Sequence, residues 1–386
     1  MSAASADVFF SSNLLAEPRS AEQALRRAKS HANEGAHRLA LELIESHIGS
    51  TSGPLLRQFL ELRVRCTWLI GGRWRPLLDA ALRHYDMAHD NLGVGRLQGL
   101  HGEALLAAGK LGEAETLLLQ ARQRAPRPWP WVEHLLAQLT LRQGFVARAL
   151  PQLDAALRLA EAEQQPRCVG LIRLDRAFAL ACLGQPATQE ILQAHRLLSA
   201  VGTAADNLSV QLRNAECLLA SNAPARAKAG LRGALLHACE EPAVGARLRR
   251  LLGEDNLGTN AARAQEYLTL ARATFEQLGH RQDVAHCDVL LCRATGGLHH
   301  LQRWFANWSH QDWPLLEAQA NLVRLQLGDP AASKLHAAVL RFALQSGHVL
   351  LQRQLEGITP QAEASAPADE ETHCVVALSP ILVRSE

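Results

Sequence analysis

Along most of the chain, apolar residues recur three and four positions apart, the spacing that places them on one face of a helix. The clearest stretch is HGEALLAAGKLGEAETLLLQARQRAP, from His101 to Pro126. Gly102 and Leu105 share one helix face, Gly109 ends that helix, and Ala114, Leu118 and Ala121 share a face of the next. Pro126 stops the pair, because proline cannot continue a helix. The arrangement returns as Ala137, Thr140, Gly144, Ala149, Leu153 and Ala156, and again as Ala215, Leu218, Asn222, Ala227, Leu231 and Ala234. Asn222 stands in for the turn glycine there, since asparagine tolerates the left-handed conformation. Ala28, His31, Gly35, Ala40 and Ile44 fit the same frame near the start, and Ala264, Leu268 and Ala271 match a second helix further on.

Small residues at fixed positions let two helices approach, and the large residue between them fills the hole. One such hairpin cannot bury its apolar face alone, so neighbours must stack and share a core that runs the length of the array. The pattern predicts an all-α solenoid of about nine antiparallel helix pairs, near 20–50, 54–90, 91–125, 128–165, 166–203, 205–241, 242–280, 281–311 and 312–349. Gly71-Gly72, Pro126 to Pro130, Gly253 to Gly258, Gly296-Gly297 and Asp329-Pro330 supply the breaks. The expected organisation is a flexible N-terminal segment over 1–19, the repeat domain over 20–357, and a tail over 358–386. The tail opens on the linker-like, disordered ITPQAEASAPADEE and ends on a short apolar stretch, 374–382.

Composition agrees with the pattern. Hydrophobic residues make up 48% of the 386, mostly Ala and Leu, while aromatics are 4%. Ala and Leu lose little freedom in a helix. The 40 Lys and Arg against 38 Asp and Glu leave a net charge of +2, which argues against direct nucleic-acid binding through a concentrated basic patch. No stretch approaches the ~18 consecutive apolar residues of a membrane span. The opening MSAASADVFFSSNLLAEPRS lacks a basic flank and is interrupted by Asp7, unlike a signal peptide. Eight cysteines without a Cys-x-x-Cys pair, most on apolar helical stretches, are expected as buried free thiols of a cytoplasmic protein.

No phosphate-binding glycine loop, His-Glu-x-x-His or nucleophile elbow occurs, so no enzyme and no cofactor is expected. Among seventeen histidines, the closest groupings are His280, His286 and Cys287, His299-His300, and His84 with His89. None has the spacing that turns two imidazoles to one helix face, so capping or exposed histidines are expected rather than a metal. Trp304 and Trp308 stand four apart with Phe305 between them. They form either an aromatic patch for a partner or, the favoured reading, part of a packed C-terminal core.

The order of small and large residues resembles the tetratricopeptide repeat. The longer units, with phrases such as ARATFEQLG at 271–279, are similar to the helical-repeat sensor region of MalT-like bacterial transcription activators. The resemblance implies a right-handed solenoid in which the first helix of each pair lines a concave groove. Its groove-facing offsets fall on Arg65, Glu103, His134, Gln138, Arg142, Phe178 and Glu216, a mixture of acidic, polar, basic and apolar groups. The Lys and Asn that clamp peptide carboxylates in that family have no counterpart, since Gly99, Glu103, His134 and Gln138 occupy the matching places. The implied function is a non-catalytic scaffold that binds another protein or a peptide on the concave face. The second reading is a regulatory sensor domain that binds a small effector or a controlling protein.

Overall fold

The computed structural model describes residues 20–220, 231, 234, 240–297, 301, 306, 313–356 and 358. Among the described residues there are seventeen α-helices and no strand. They fall in the order the spacing predicts. The first five pairs are α1 (Ala21–Asn33) with α2 (His37–Ile48), α3 (Gly53–Leu69) with α4 (Arg75–Met87), and α5 (Asn91–Ala107) with α6 (Leu111–Arg124), then α7 (Pro130–Gln143) with α8 (Val146–Ala162) and α9 (Pro166–Cys182) with α10 (Thr188–Val201). Next come α11 (Ala204–Ala220), the pair α12 (Pro242–Asn256) and α13 (Ala261–Leu278), and α14 (Arg281–Thr295). The last pair is α15 (Pro314–Gln326) with α16 (Ala332–Ser346). It is followed by a short α17 (Val349–Glu356) that the spacing does not predict. Trp304, Trp308, residues 1–19 and nearly all of 358–386 lie outside the described residues.

The helices begin and pack for local reasons. Proline sits in the first turn of α3, α4, α7, α9, α12 and α15, where its missing N–H has no helical partner to lose. Ser20, Asp90 and Asn260 each accept a backbone N–H at a helix start. The small-against-large fit is literal. A Cβ added at Gly102 would lie 2.8 Å from the Leu118 side chain, one at Gly170 2.7 Å from Leu198, and one at Gly253 2.5 Å from Leu268. Ala114, Ala121, Ala149 and Ala156 are fully buried between their helices. First helices also pack against first helices, α1 on α3, α3 on α5, α5 on α7, α7 on α9 and α9 on α11, so they form a continuous inner layer.

That layer curls until it meets itself. The α1–α2 loop reaches the start of α11, where a Cβ on Gly35 would lie 3.5 Å from Thr203 Cβ. Next to it, His37 Nε2 donates to Glu241 at 3.1 Å and the Arg38 amide donates to Glu240 at 3.0 Å. Later helices then sit on the C-terminal ends of earlier first helices. The Arg281 amide donates to Ala108 O at 3.1 Å, Trp313 Nε1 to Gly109 O at 2.8 Å, and Gln282 Nε2 to Arg142 O at 3.2 Å. Carbonyls in the last turn of a helix have no partner within it, and here the next superhelical turn supplies one. Gly109 and Gly144 make the approach possible. Both hold left-handed backbone, φ +76° and +92°, and an added Cβ would meet Gln282 Cβ at 2.5 Å and Leu315 Cβ at 2.6 Å.

Candidate functional site

The ring of first helices surrounds a cavity of about 1140 Å³, slightly beyond the roughly 300–1,000 Å³ typical of small-molecule sites. Its walls come from α1, α3, α5, α7, α9, α11 and the start of α12. Along α7, α9 and α11 the lining stops at Gln138, Asp175 and Arg213. One turn further on, the side chains are already engaged. Arg142 hydrogen-bonds Gln282 at 3.1 Å and lies 3.8 Å from Asp283 on the overlying turn. Phe178 lies beneath the Arg213 guanidinium, 4.8 Å from ring centroid to cation. Glu216 is bound by Arg213, Arg247 and Arg250.

Of the groove positions expected from sequence, Arg65, Glu103, His134 and Gln138 line the cavity, and Arg142, Phe178 and Glu216 do not. The offsets carry no knowledge of the later turn, which covers the lower rungs of the inner layer. His37, His134 and His348 are buried. His134 is held there because its Nε2 donates to Asp175 Oδ2 at 2.7 Å, which the Gln138 amide also reaches at 2.7 Å; a carboxylate can only accept. Arg213 completes the set by pairing with the other Asp175 oxygen.

The electrostatics follow from these partners. Burial alone would raise the carboxyls of Asp175 and Glu216. Opposing it, the Arg213 charge and the His134 and Gln138 donors hold Asp175 well below the usual carboxylate range, and Arg247 with Arg213 does the same for Glu216. Glu103 behaves in the opposite way. Burial raises its carboxyl, and Arg65, Arg167 and His134 only partly counter the rise. Burial likewise pushes the thiols of Cys66 and Cys168 up to about 12 and about 11, which leaves both cavity-facing cysteines as unreactive thiols. The described cysteines are free, and all but Cys168 are buried.

Asp175, Arg167, Arg213 and the indoles of Trp68 and Trp131 also line the cavity and were not anticipated as site residues. Asp175 sits in the apolar run LIRLDRAFAL, whose hydrophobic spacing gives no hint of a buried ion pair. Trp131, in contrast, could have been found, since it follows Pro130 in the first turn of an inner helix. Among the described residues, no three of His, Cys, Asp and Glu gather to hold a metal ion, and no helix is long and apolar enough to cross a membrane.

Solved structures share this architecture. The chain is similar to a Rap protein complexed with Competence and Sporulation Factor, at TM-score 0.58 and 10% identity over 88% of this chain and 97% of that one. It is similar to the Rap conjugation gene regulator of the plasmid pLS20 in complex with the Phr* peptide, at TM-score 0.57 and 10% identity over 89% and 98%. The fold is a TPR-like helical repeat. No protein-family model and no curated protein sequence matches the chain.

Proposed function

We propose that the chain is a non-catalytic receptor that holds a peptide segment in the cavity ringed by its first helices. The carrying observation is the cavity itself. It is walled by α1 to α11 and closed on its circumference where His37 meets Glu241, so it accepts an extended chain and excludes a folded domain. Its wall combines indole surface with charged and amide groups, the mixture that recognises side chains and main chain together. The acidic and basic side chains are mostly spent on each other, so no nucleophile, base and orienter converge for a reaction. The two solved structures of like fold are complexes with Competence and Sporulation Factor and with the Phr* peptide, which supports a peptide as the occupant here.

A regulatory role is compatible with the same cavity. An occupant that touches both α1 and α11 would bias the His37–Glu241 contact, and with it the fit of one superhelical turn on the next. The test of the binding reading uses a synthetic random hexapeptide pool passed over the immobilised protein, with retained peptides counted by mass spectrometry. Ser209 lines the cavity from α11 without an ion pair among the described residues. The wild type is expected to retain a subset of peptides, and Ser209→Trp, which fills the cavity with an indole, is expected to lose them. Equal retention by both proteins rejects the cavity as the site.

A further inference from the structure

Most charged side chains lining the cavity have a partner of opposite charge. Glu61 pairs with Arg96 at 3.2 Å and Asp206 with Arg167 at 2.7 Å, while Arg57 lies 3.8 Å from Asp90 with its Nε buried and without a hydrogen bond. Asp175 holds His134 and Arg213, Glu216 holds Arg247, Glu241 holds His37, and Lys29 donates to Gln58 at 2.8 Å. Two charged residues of the lining stand apart from all these contacts, Arg65 on α3 and Glu103 on α5. Among the described residues neither makes a hydrogen bond or an ion pair, and they do not pair with each other, although each lies within the other's field.

The wall beside them is aromatic. Trp68 follows Arg65 on α3, and Trp131 packs on bare backbone one turn before Glu103, where a Cβ on Gly99 would come within 2.7 Å of its ring. Both indoles join the same apolar cluster. The arrangement offers one anion-seeking guanidinium, one cation-seeking carboxylate and an indole surface beside them.

From this we infer that the peptide taken into the cavity carries both signs of charge, a primary ammonium or guanidinium for Glu103 and a carboxylate for Arg65. The inference rests on the cavity-binding reading above. At the paired positions an incoming charge would have to displace an existing partner, whereas at Arg65 and Glu103 it completes a pair. A partly buried carboxylate without a partner is costly, and a ligand cation recovers that cost. A guanidinium with all its donors unused binds a carboxylate in a two-pronged fork. Polyanionic ligands are disfavoured because Glu103 lies within the field of Arg65. Uniformly basic peptides are disfavoured by Arg65 for the same reason.

The experiment sequences the peptides retained from the random hexapeptide pool, N-acetylated and C-amidated so that only side chains carry charge, by wild type, Glu103→Gln, Arg65→Gln and the exchanged pair Arg65→Glu with Glu103→Arg. Thermal denaturation verifies that each variant is folded. Wild type should enrich peptides holding both a basic and an acidic group, by about tenfold for each charge, the ratio that corresponds to ~1.4 kcal/mol. Glu103→Gln should lose the basic preference alone, and Arg65→Gln the acidic preference alone. The exchanged pair should retain mixed-charge peptides with the two charges swapped along the sequence. Retained peptides without charge preference, or a preference unchanged by all three variants, would overturn this inference while leaving cavity binding intact. Failure of the wild type to retain any peptide would overturn both.

Discussion

The indole of Trp313 donates its N–H to the carbonyl of Gly109 at 2.8 Å, across 204 residues of sequence. This bond joins the start of α15 to the end of α5 and marks where the superhelix lies on itself. Gly109 is needed twice over, for its left-handed turn and for the close approach of Gln282. Gly109→Ala is therefore expected to lower stability by about 2 kcal/mol, since left-handed backbone alone costs a β-carbon roughly 1–2 kcal/mol. Trp313→Phe, which leaves the Gly109 carbonyl without its donor, should cost about 1 kcal/mol. Urea denaturation of the two variants measures both effects.

Asp175 holds two inner helices together by accepting from His134 on α7 and pairing with Arg213 on α11. Asp175→Asn would leave Arg213 partly buried with one carboxylate fewer, and removal of one partner from a buried pair typically costs about 3–5 kcal/mol. We expect a loss near the lower end of that range, because Glu216 still neutralises Arg213. In the wild type, the depressed carboxyls of Asp175 and Glu216 contribute stability that is complete above the ordinary carboxylate range. That stability is lost as the pH falls through the range and below it. Equilibrium unfolding as a function of pH should show a steeper acid limb for wild type than for Asp175→Asn.

For Glu103 the sign is opposite. Its carboxyl is raised in the folded protein, so ionisation near neutral pH works against the fold. Glu103→Gln should raise Tm at pH 7. The advantage should vanish in acid, below the ordinary glutamate range, where wild type is protonated in both folded and unfolded chains. A gain in stability on removal of a candidate binding group is the trade-off expected of a site kept ready for a ligand. Differential scanning calorimetry at the two pH values checks it.

His348 opens the short α17, next to Gly347, which packs on Ala147 and Leu183 of the earlier turn. Burial lowers its imidazole from 6.5 to about 4. The folded protein thus holds it neutral, and the associated stability is complete above about 6.5 and is lost as the pH falls towards about 4. His348→Asn should flatten the stability profile across that window and leave it unchanged above neutral. The measurement is the urea midpoint at closely spaced pH values.

The helix pairs were legible in the sequence because the contacts that define them are local. Gly102 and Leu118 lie in one hairpin, and their small-to-large fit recurs in the pairs that follow. The closure of the superhelix was not legible, because a bond such as Trp313 to Gly109 joins residues that share no period. Gly109 was readable as a helix stop, but its approach to Gln282 leaves no trace in local spacing. The same distinction divides the candidate site. Repeat offsets reached Arg65, Glu103, His134 and Gln138, which depend only on the inner face of one helix. They could not show that Arg142 is claimed by Gln282, or that Glu216 is bound by Arg247 and Arg250, since those partners come from other repeats.

The most direct test of cavity binding is to map where a bound peptide touches the chain. A hexapeptide retained by the wild type, resynthesised with a photoreactive phenylalanine at each position in turn, can be cross-linked and the adducts located by mass spectrometry. Adducts are expected on inner-helix residues such as Trp68, Trp131 and Leu171, and to disappear in Ser209→Trp. Adducts confined to the outer helices α6, α8 or α10 would contradict the account.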